Sequence, residues 1–239
     1  MKHTKKVLPA ALIAAITLPA LNSCKKGEGD PFLSLRSRKA RVVGEWTISS
    51  QIEETKTVYV DSDGESTTEN MTIEIDGEDA TISTSYTDGS FSYSETGNGD
   101  AEATATFEKD GTFSMEVNLT NITISGQTGI SLSMKMERSG TWNFLGGVES
   151  DYKKKERIVL NITEEKTTTT SSFNGTSSTQ TERFSYANGE SSEVWQLTTL
   201  KNKEMAIESE INSTGSYNDG TNSDSVTETG TRSATLIQE

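Results

Sequence analysis

From about residue 41 onward, apolar and polar side chains alternate. Val42, Trp46 and Ile48 are apolar, while Glu45, Thr47 and Ser49 are polar. Met71, Ile73 and Ile75 alternate with Thr72 and Glu74, and Ala80, Ile82 and Tyr86 with Thr81, Ser83 and Ser85. Ala101, Ala103, Ala105 and Phe107 continue the pattern, as do Phe113, Met115, Val117 and Leu119. It returns in Ile130, Leu132, Met134 and Met136, and again in Ile158, Leu160 and Ile162. A period of two sends successive side chains to opposite faces of a strand, one dry and one wet. No stretch of this region holds apolar residues at i, i+3, i+4 and i+7 over three turns. The pattern predicts an all-β, antiparallel protein.

Turn chemistry joins the runs. Glu108-Lys109-Asp110-Gly111 lies between two alternating segments, and Asp-Gly supplies the positive φ that a tight hairpin needs. Asp76-Gly77-Glu78-Asp79, Asp88-Gly89 and Asn188-Gly189 are similar signals. Strand candidates spaced this way predict an up-and-down meander closing into one barrel of about 8–10 strands, with a β-sandwich as the alternative. Only 31% of residues are hydrophobic, close to the border with disorder. The alternation argues against disorder, because a one-sided sheet needs apolar residues at half its positions. Segments lacking it are expected to be loose: 61–70, 97–100, 167–181 and 217–225.

The N-terminus differs. Lys2, Lys5 and Lys6 precede an apolar run from Val7 to Leu18, shorter than the ~20 residues a membrane-spanning helix needs. This predicts a signal peptide over residues 1–23. The run ends in Leu21-Asn22-Ser23-Cys24, which resembles a bacterial lipobox. The resemblance implies cleavage before Cys24 and acylation of that residue with diacylglycerol and palmitate. Two or more buried chains suffice for stable anchoring. Residue 26 is Lys, not the Asp of inner-membrane retention, so the expected location is the outer membrane, on its periplasmic face or at the cell surface. The expected organisation is a leader (1–23), an acylated cysteine with flexible tether (24–40), and one β domain (41–239) with long Ser/Thr-rich hairpins.

Charge and composition then exclude chemistry. The chain carries 22 Lys+Arg against 36 Asp+Glu; without the leader's three lysines the balance is 19 to 36, or −17. No histidine follows His3, and Cys24 is the only cysteine. That leaves no Ser-His-Asp or Cys-His catalysis, no His- or Cys-built zinc site and no disulfide within the chain. So acidic a protein does not track a phosphate backbone, and no nucleic acid is expected as partner. The expectation is a non-enzymatic protein with no cofactor.

At Gly44-Glu45-Trp46 the chain resembles the lipocalin family, whose first strand opens with Gly-x-Trp at the closed end of an eight-stranded barrel. Phe107-Glu108-Lys109-Asp110-Gly111-Thr112-Phe113 is similar to the central hairpin of lipocalin-like lipoproteins of Gram-negative bacteria. Gly140-Thr141-Trp142-Asn143-Phe144 resembles a later strand. Trp195 to Leu200 followed by Lys203 to Ile207 resembles the penultimate hairpin. The resemblance implies that Gly44 allows a tight turn at the barrel floor, that Trp46 plugs it, and that Arg232 from the last strand packs over the tryptophan. No Thr-Asp-Tyr-like motif follows at the family's second conserved region, and the chain is longer than a minimal lipocalin-like domain.

Candidate sites follow from the barrel. Phe107, Phe113, Met115, Leu132, Met134, Trp142 and Phe144 point inward and could line a cavity for a small hydrophobic ligand, beside the low-volume strand Ala101, Ala103 and Ala105. The alternative is a filled barrel, a structural or interaction protein touching other envelope or extracellular components. Asp61-Ser62-Asp63-Gly64-Glu65 alternates carboxylates around a turn, but its glycine falls too early for an EF-hand, and no metal site is expected. Lys153-Lys154-Lys155 with Arg157 is the one basic cluster, read as a solvated turn.

Overall fold

A computed structural model of the chain describes residues 37–145, 156–187, 189–218 and 223–238. Ser37 caps a short helix, α1 (Arg38–Val42), its hydroxyl accepting the Ala40 N–H at 3.2 Å. Strands follow in chain order: β1 (Gly44–Val60), β2 (Ser66–Asp76), β3 (Asp79–Asp88), β4 (Phe91–Phe107), β5 (Thr112–Ile124) and β6 (Ile130–Leu145). Then come β7 (Glu156–Phe173), β8 (Thr176–Ser185), β9 (Ser191–Leu200), β10 (Glu204–Asn218) and β11 (Ser223–Ile237). Every pairing is antiparallel, and β6 closes on β7 to complete a ten-stranded barrel.

The barrel is narrow at one end and wide at the other. At the narrow end Gly44–Thr47 of β1 pair directly with Thr104–Phe107 of β4. Higher up, the β2–β3 hairpin is wedged between them. β8 and β9 lie end to end along β7, β9 beside its lower part and β8 beside its upper part. The floor is therefore ringed by β1, β4, β5, β6, β7, β9, β10 and β11, and the wall above it gains two more. Because barrel diameter grows roughly with strand number, the inserted hairpin flares the wall. A seam also opens above the floor: β10 pairs with β9 only over Met205–Ser209, while β8 pairs only with β7.

The narrow half is packed solid. Trp46, Phe107, Trp195, Leu200, Met205 and Leu236 are essentially inaccessible to solvent. Phe107 sits among aromatic rings, with Phe113, Trp142 and Trp195 at centroid distances of 6.3, 5.6 and 5.9 Å. Helix α1 closes the floor: Val42 is buried, Arg41 donates to the Leu200 carbonyl, Arg38 pairs with Glu156 at 3.2 Å, and Lys39 lies over the Trp142 ring. Gly44 starts β1 at φ +137°, where a Cβ would strike the Gln238 amide. At Gly140 a Cβ would collide with the Asn161 carbonyl oxygen, so the β6 and β7 backbones approach as closely as they do only with glycine there.

Bulges invert the inward parity partway up four strands. In β1 the register slips between Ile48 and Ser50, so even residues face in below it and Gln51 and Thr55 face in above it. β5 slips between Leu119 and Ile122, both of them buried. β7 carries an extra residue at Thr163, and β9 one at Thr198. The segments expected to be loose are mostly strand. Residues 66–70 belong to β2, 97–100 to β4, and 167–181 to β7 and β8 around the Asn174-Gly175 turn. Hydroxyl pairs hold that last stretch: Thr168 with Thr181, Thr170 with Thr179, and Ser172 with Ser177. Residues 217–218 and 223–225 are strand, and 219–222 lie outside the described residues. So do Cys24 and Lys153–Lys155.

Candidate functional site

Halfway up the barrel the apolar packing gives way to charge. The bulges in β1 and β7 turn Glu53 and Glu165 inward, where they meet Arg232 of β11, Arg138 of β6 and Glu193 of β9. Arg232 donates through Nε to Glu53 Oε2 at 2.7 Å and through Nη1 to Glu193 Oε1 at 2.5 Å. Arg138 Nε lies 2.7 Å from Glu165 Oε1, and its Nη1 lies 3.6 Å from Glu193 Oε2. Gln51 donates to Glu53 at 3.3 Å, Trp195 Nε1 to Glu193 at 2.8 Å, and the Tyr186 hydroxyl to Glu165 at 2.8 Å. The result is a continuous ionic layer spanning the interior, with three carboxylates against two guanidiniums.

Burial makes this layer mutually dependent. The Arg232 and Glu193 side chains are 6% and 11% exposed. Burial alone would raise the Glu193 pKa, but the charges of Arg232 and Arg138 and the Trp195 hydrogen bond outweigh it and hold the carboxyl below the usual range. Burial alone would lower the Arg232 pKa, and Glu193 and Glu53 reverse that. Tyr186 is pushed up to about 12 by burial and by its hydrogen bond to Glu165.

Above the layer the inner face is open. Register and parity place Tyr59, Tyr86, Phe91, Tyr93, Phe173 and Phe184 on it, opposite or beside inward neighbours. Two ring contacts agree: Tyr86 meets Phe91 edge-on at 6.4 Å, and Phe184 stacks beside Tyr186 at 6.4 Å. These six rings are 37–60% exposed. The exposed large aliphatics, Ile52, Leu145, Val194 and Ile237, have the opposite parity and face outward. Met71, Leu132, Met134 and Met136 are half-buried below the rim.

The residues singled out from sequence divide between the two halves. Phe107, Phe113, Met115 and Trp142 lie in the packed lower half, with Phe144 half-buried against Trp142 at 5.9 Å. Leu132 and Met134 lie above it in the wide half. Ala101, Ala103 and Ala105 are buried. Gly44 and Trp46 stand at the floor, where the Trp46 indole donates to the Val42 carbonyl at 2.8 Å. Arg232 faces Glu53, well up the strand from Trp46, and is committed to the ionic layer. The Asp61 turn is solvated, with Asp61 Oδ1 accepting the Asp63 and Glu65 N–H groups at 3.0 and 2.9 Å. Sequence reasoning missed the ionic layer and the rim. Carrying the odd parity of Ala101 back along β4 would have found Tyr93 and Phe91.

Two surface recesses accompany the mouth. One, of about 360 Å³, lies largely on the polar outer wall among Thr104, Ser114, Glu137 and Lys166; the other, of about 700 Å³, lies at the β7–β8 tip around Ile130 and Phe173. No helix among the described residues is long and apolar enough to cross a membrane. Compared with known proteins, the chain matches no family model, no curated protein and no solved structure.

Proposed function

We propose that the chain is a non-enzymatic envelope lipoprotein, lipocalin-like in build, that binds one small molecule with a hydrophobic body in the wide half of its barrel. The observation that carries this reading is the six rings gathered on the inner face of the mouth, where they remain in contact with solvent. Exposed apolar surface concentrated in one concave place favours a ligand. The packing around Phe107, Phe113 and Trp142 leaves no room among them, which supports a ligand above the ionic layer. Native mass spectrometry of the full chain should reveal a co-purifying small molecule. An apolar fluorescent dye should brighten on binding and lose affinity in Tyr86→Ala/Phe91→Ala. If no molecule is retained and the dye does not respond, the reading falls. Anchoring at Cys24 has a separate test: Cys24→Ala should move the protein out of the membrane fraction.

One observation favours a second reading, an interaction protein contacting other envelope or extracellular components. Every residue of β8 is exposed, and β8 pairs with β7 alone. Thr179→Lys/Thr181→Lys, on the outward face of β8, should abolish such contacts while sparing dye binding.

A further inference from the structure

The outer wall of the wide half carries both signs, and three of its bases pair with acids: Lys135 with Glu116 and Glu137, Lys166 with Glu137, and Arg183 with Glu164. On the inner face above the ionic layer, parity places Glu69, Asp88, Glu95, Glu182, Asp224 and Glu228. No Lys or Arg shares that face among the described residues, and none of these six acids makes an ion pair there. Lys39, Lys109, Lys201 and Lys203 are at the floor, and Lys56 points outward.

Rings and carboxylates are interleaved, not segregated. Glu69 of β2 and Glu228 of β11 both lie opposite Thr57, so they flank β1 on its two sides, about 10 Å apart by strand spacing. Tyr59 stands one inward position above them. Its hydroxyl is pushed above its ordinary pKa by burial and by the charges of Glu69 and Glu228, as a shared face requires. Further round, Glu95 lies beside Tyr93, whose hydroxyl donates to it, and Tyr86 faces Tyr93 across the β3–β4 pair. The carboxylates are spread around the wall: no three acidic groups among the described residues converge as a metal ion would need.

We infer that the mouth takes an organic cation, an amine or quaternary ammonium group carried on an apolar body. Charge complementarity selects the sign, since the face offers uncompensated carboxylates and no base. The ring faces select the chemistry, since an ammonium group is attracted to an aromatic face while its hydrocarbon part buries against Phe and Met. A neutral lipid uses the rings but not the acids, and an anionic one is repelled. The inference rests on the ligand-binding reading above and narrows it.

The test is calorimetric titration of the full chain with decyltrimethylammonium, decyl maltoside and decyl sulfate, each below its micelle concentration. The cation should bind about tenfold more tightly than the neutral ligand, with the sulfate weakest, and added salt should shrink that preference. Glu69→Gln/Glu228→Gln should remove most of the cation's advantage. Glu116→Gln/Glu137→Gln, which removes the same charge from the outer wall, should retain it. Equal binding of cation and neutral ligand, or equal loss in both double variants, overturns the cation inference and leaves the hydrophobic-ligand reading standing. Binding of none of the three overturns both.

Discussion

Phe107 and Phe91 lie at opposite ends of β4 with their rings on the same face. The first is fully buried against Phe113, Trp142 and Trp195; the second is 60% exposed and meets Tyr86 edge-on. Identical side chains on one strand thus do different work, and the difference lies in what stands across the interior. At the floor, eight columns bring facing walls close enough for side chains to fill the space. Above the ionic layer the β2–β3 hairpin widens the ring and the β8–β10 seam leaves a gap, so inward rings meet neighbours on their own wall and reach no partner across the interior. Alternation selects the face of the sheet; circumference decides whether that face becomes core.

The contrast is broken most directly at its two ends. Phe107→Ala should cost about 3–5 kcal/mol of folding stability, while Phe91→Ala should stay within about 0.5 kcal/mol. Urea denaturation of the two variants measures this, and similar midpoints would erase the distinction between halves. The boundary comes next. Arg232→Met strands Glu53 and Glu193 in the interior and should cost about 3 kcal/mol, against about 0–1 kcal/mol for Lys166→Met on the outer wall.

Acid should sharpen the same boundary by a smaller amount. The Glu193 carboxyl has a folded pKa below its unfolded value. Its contribution to stability is therefore complete above the unfolded value of about 4.3 and is lost as pH falls through the lower folded value. Melting curves from about pH 6 down to pH 2 should show less pH dependence in Glu193→Gln than in the parent over that acid window. A parallel decline would mean that the layer contributes nothing pH-sensitive. The smallest effect belongs to the crown: Thr170→Val breaks the hydroxyl pair with Thr179 at 3.0 Å and should change stability by no more than about 0.5 kcal/mol.

Most of the framework is legible in the chain. The alternating runs lie in strands apart from Val42, which ends helix α1; the Asp76–Asp79, Asp88-Gly89 and Glu108–Gly111 segments turn as their chemistry requires, and Gly44 opens the first strand. What is not legible comes from bulges. A period-two pattern read up β7 from Ile158 to Ile162 assigns Glu164 to the inside, yet the extra residue at Thr163 puts Glu165 there instead. The same inversion hides Glu53. A bulge leaves little mark in sequence because any polar residue can occupy it. The Thr-rich run 167–181 looks loose for another reason: its strands have little apolar content, and paired hydroxyls replace it.

The way the chain enters the barrel has a consequence for orientation. Helix α1 delivers the polypeptide to the sealed floor, beside Leu200 and Glu156, so anything upstream of Ser37 joins the molecule there. That end is closed, and the rim of tyrosines and phenylalanines lies at the opposite end of the barrel.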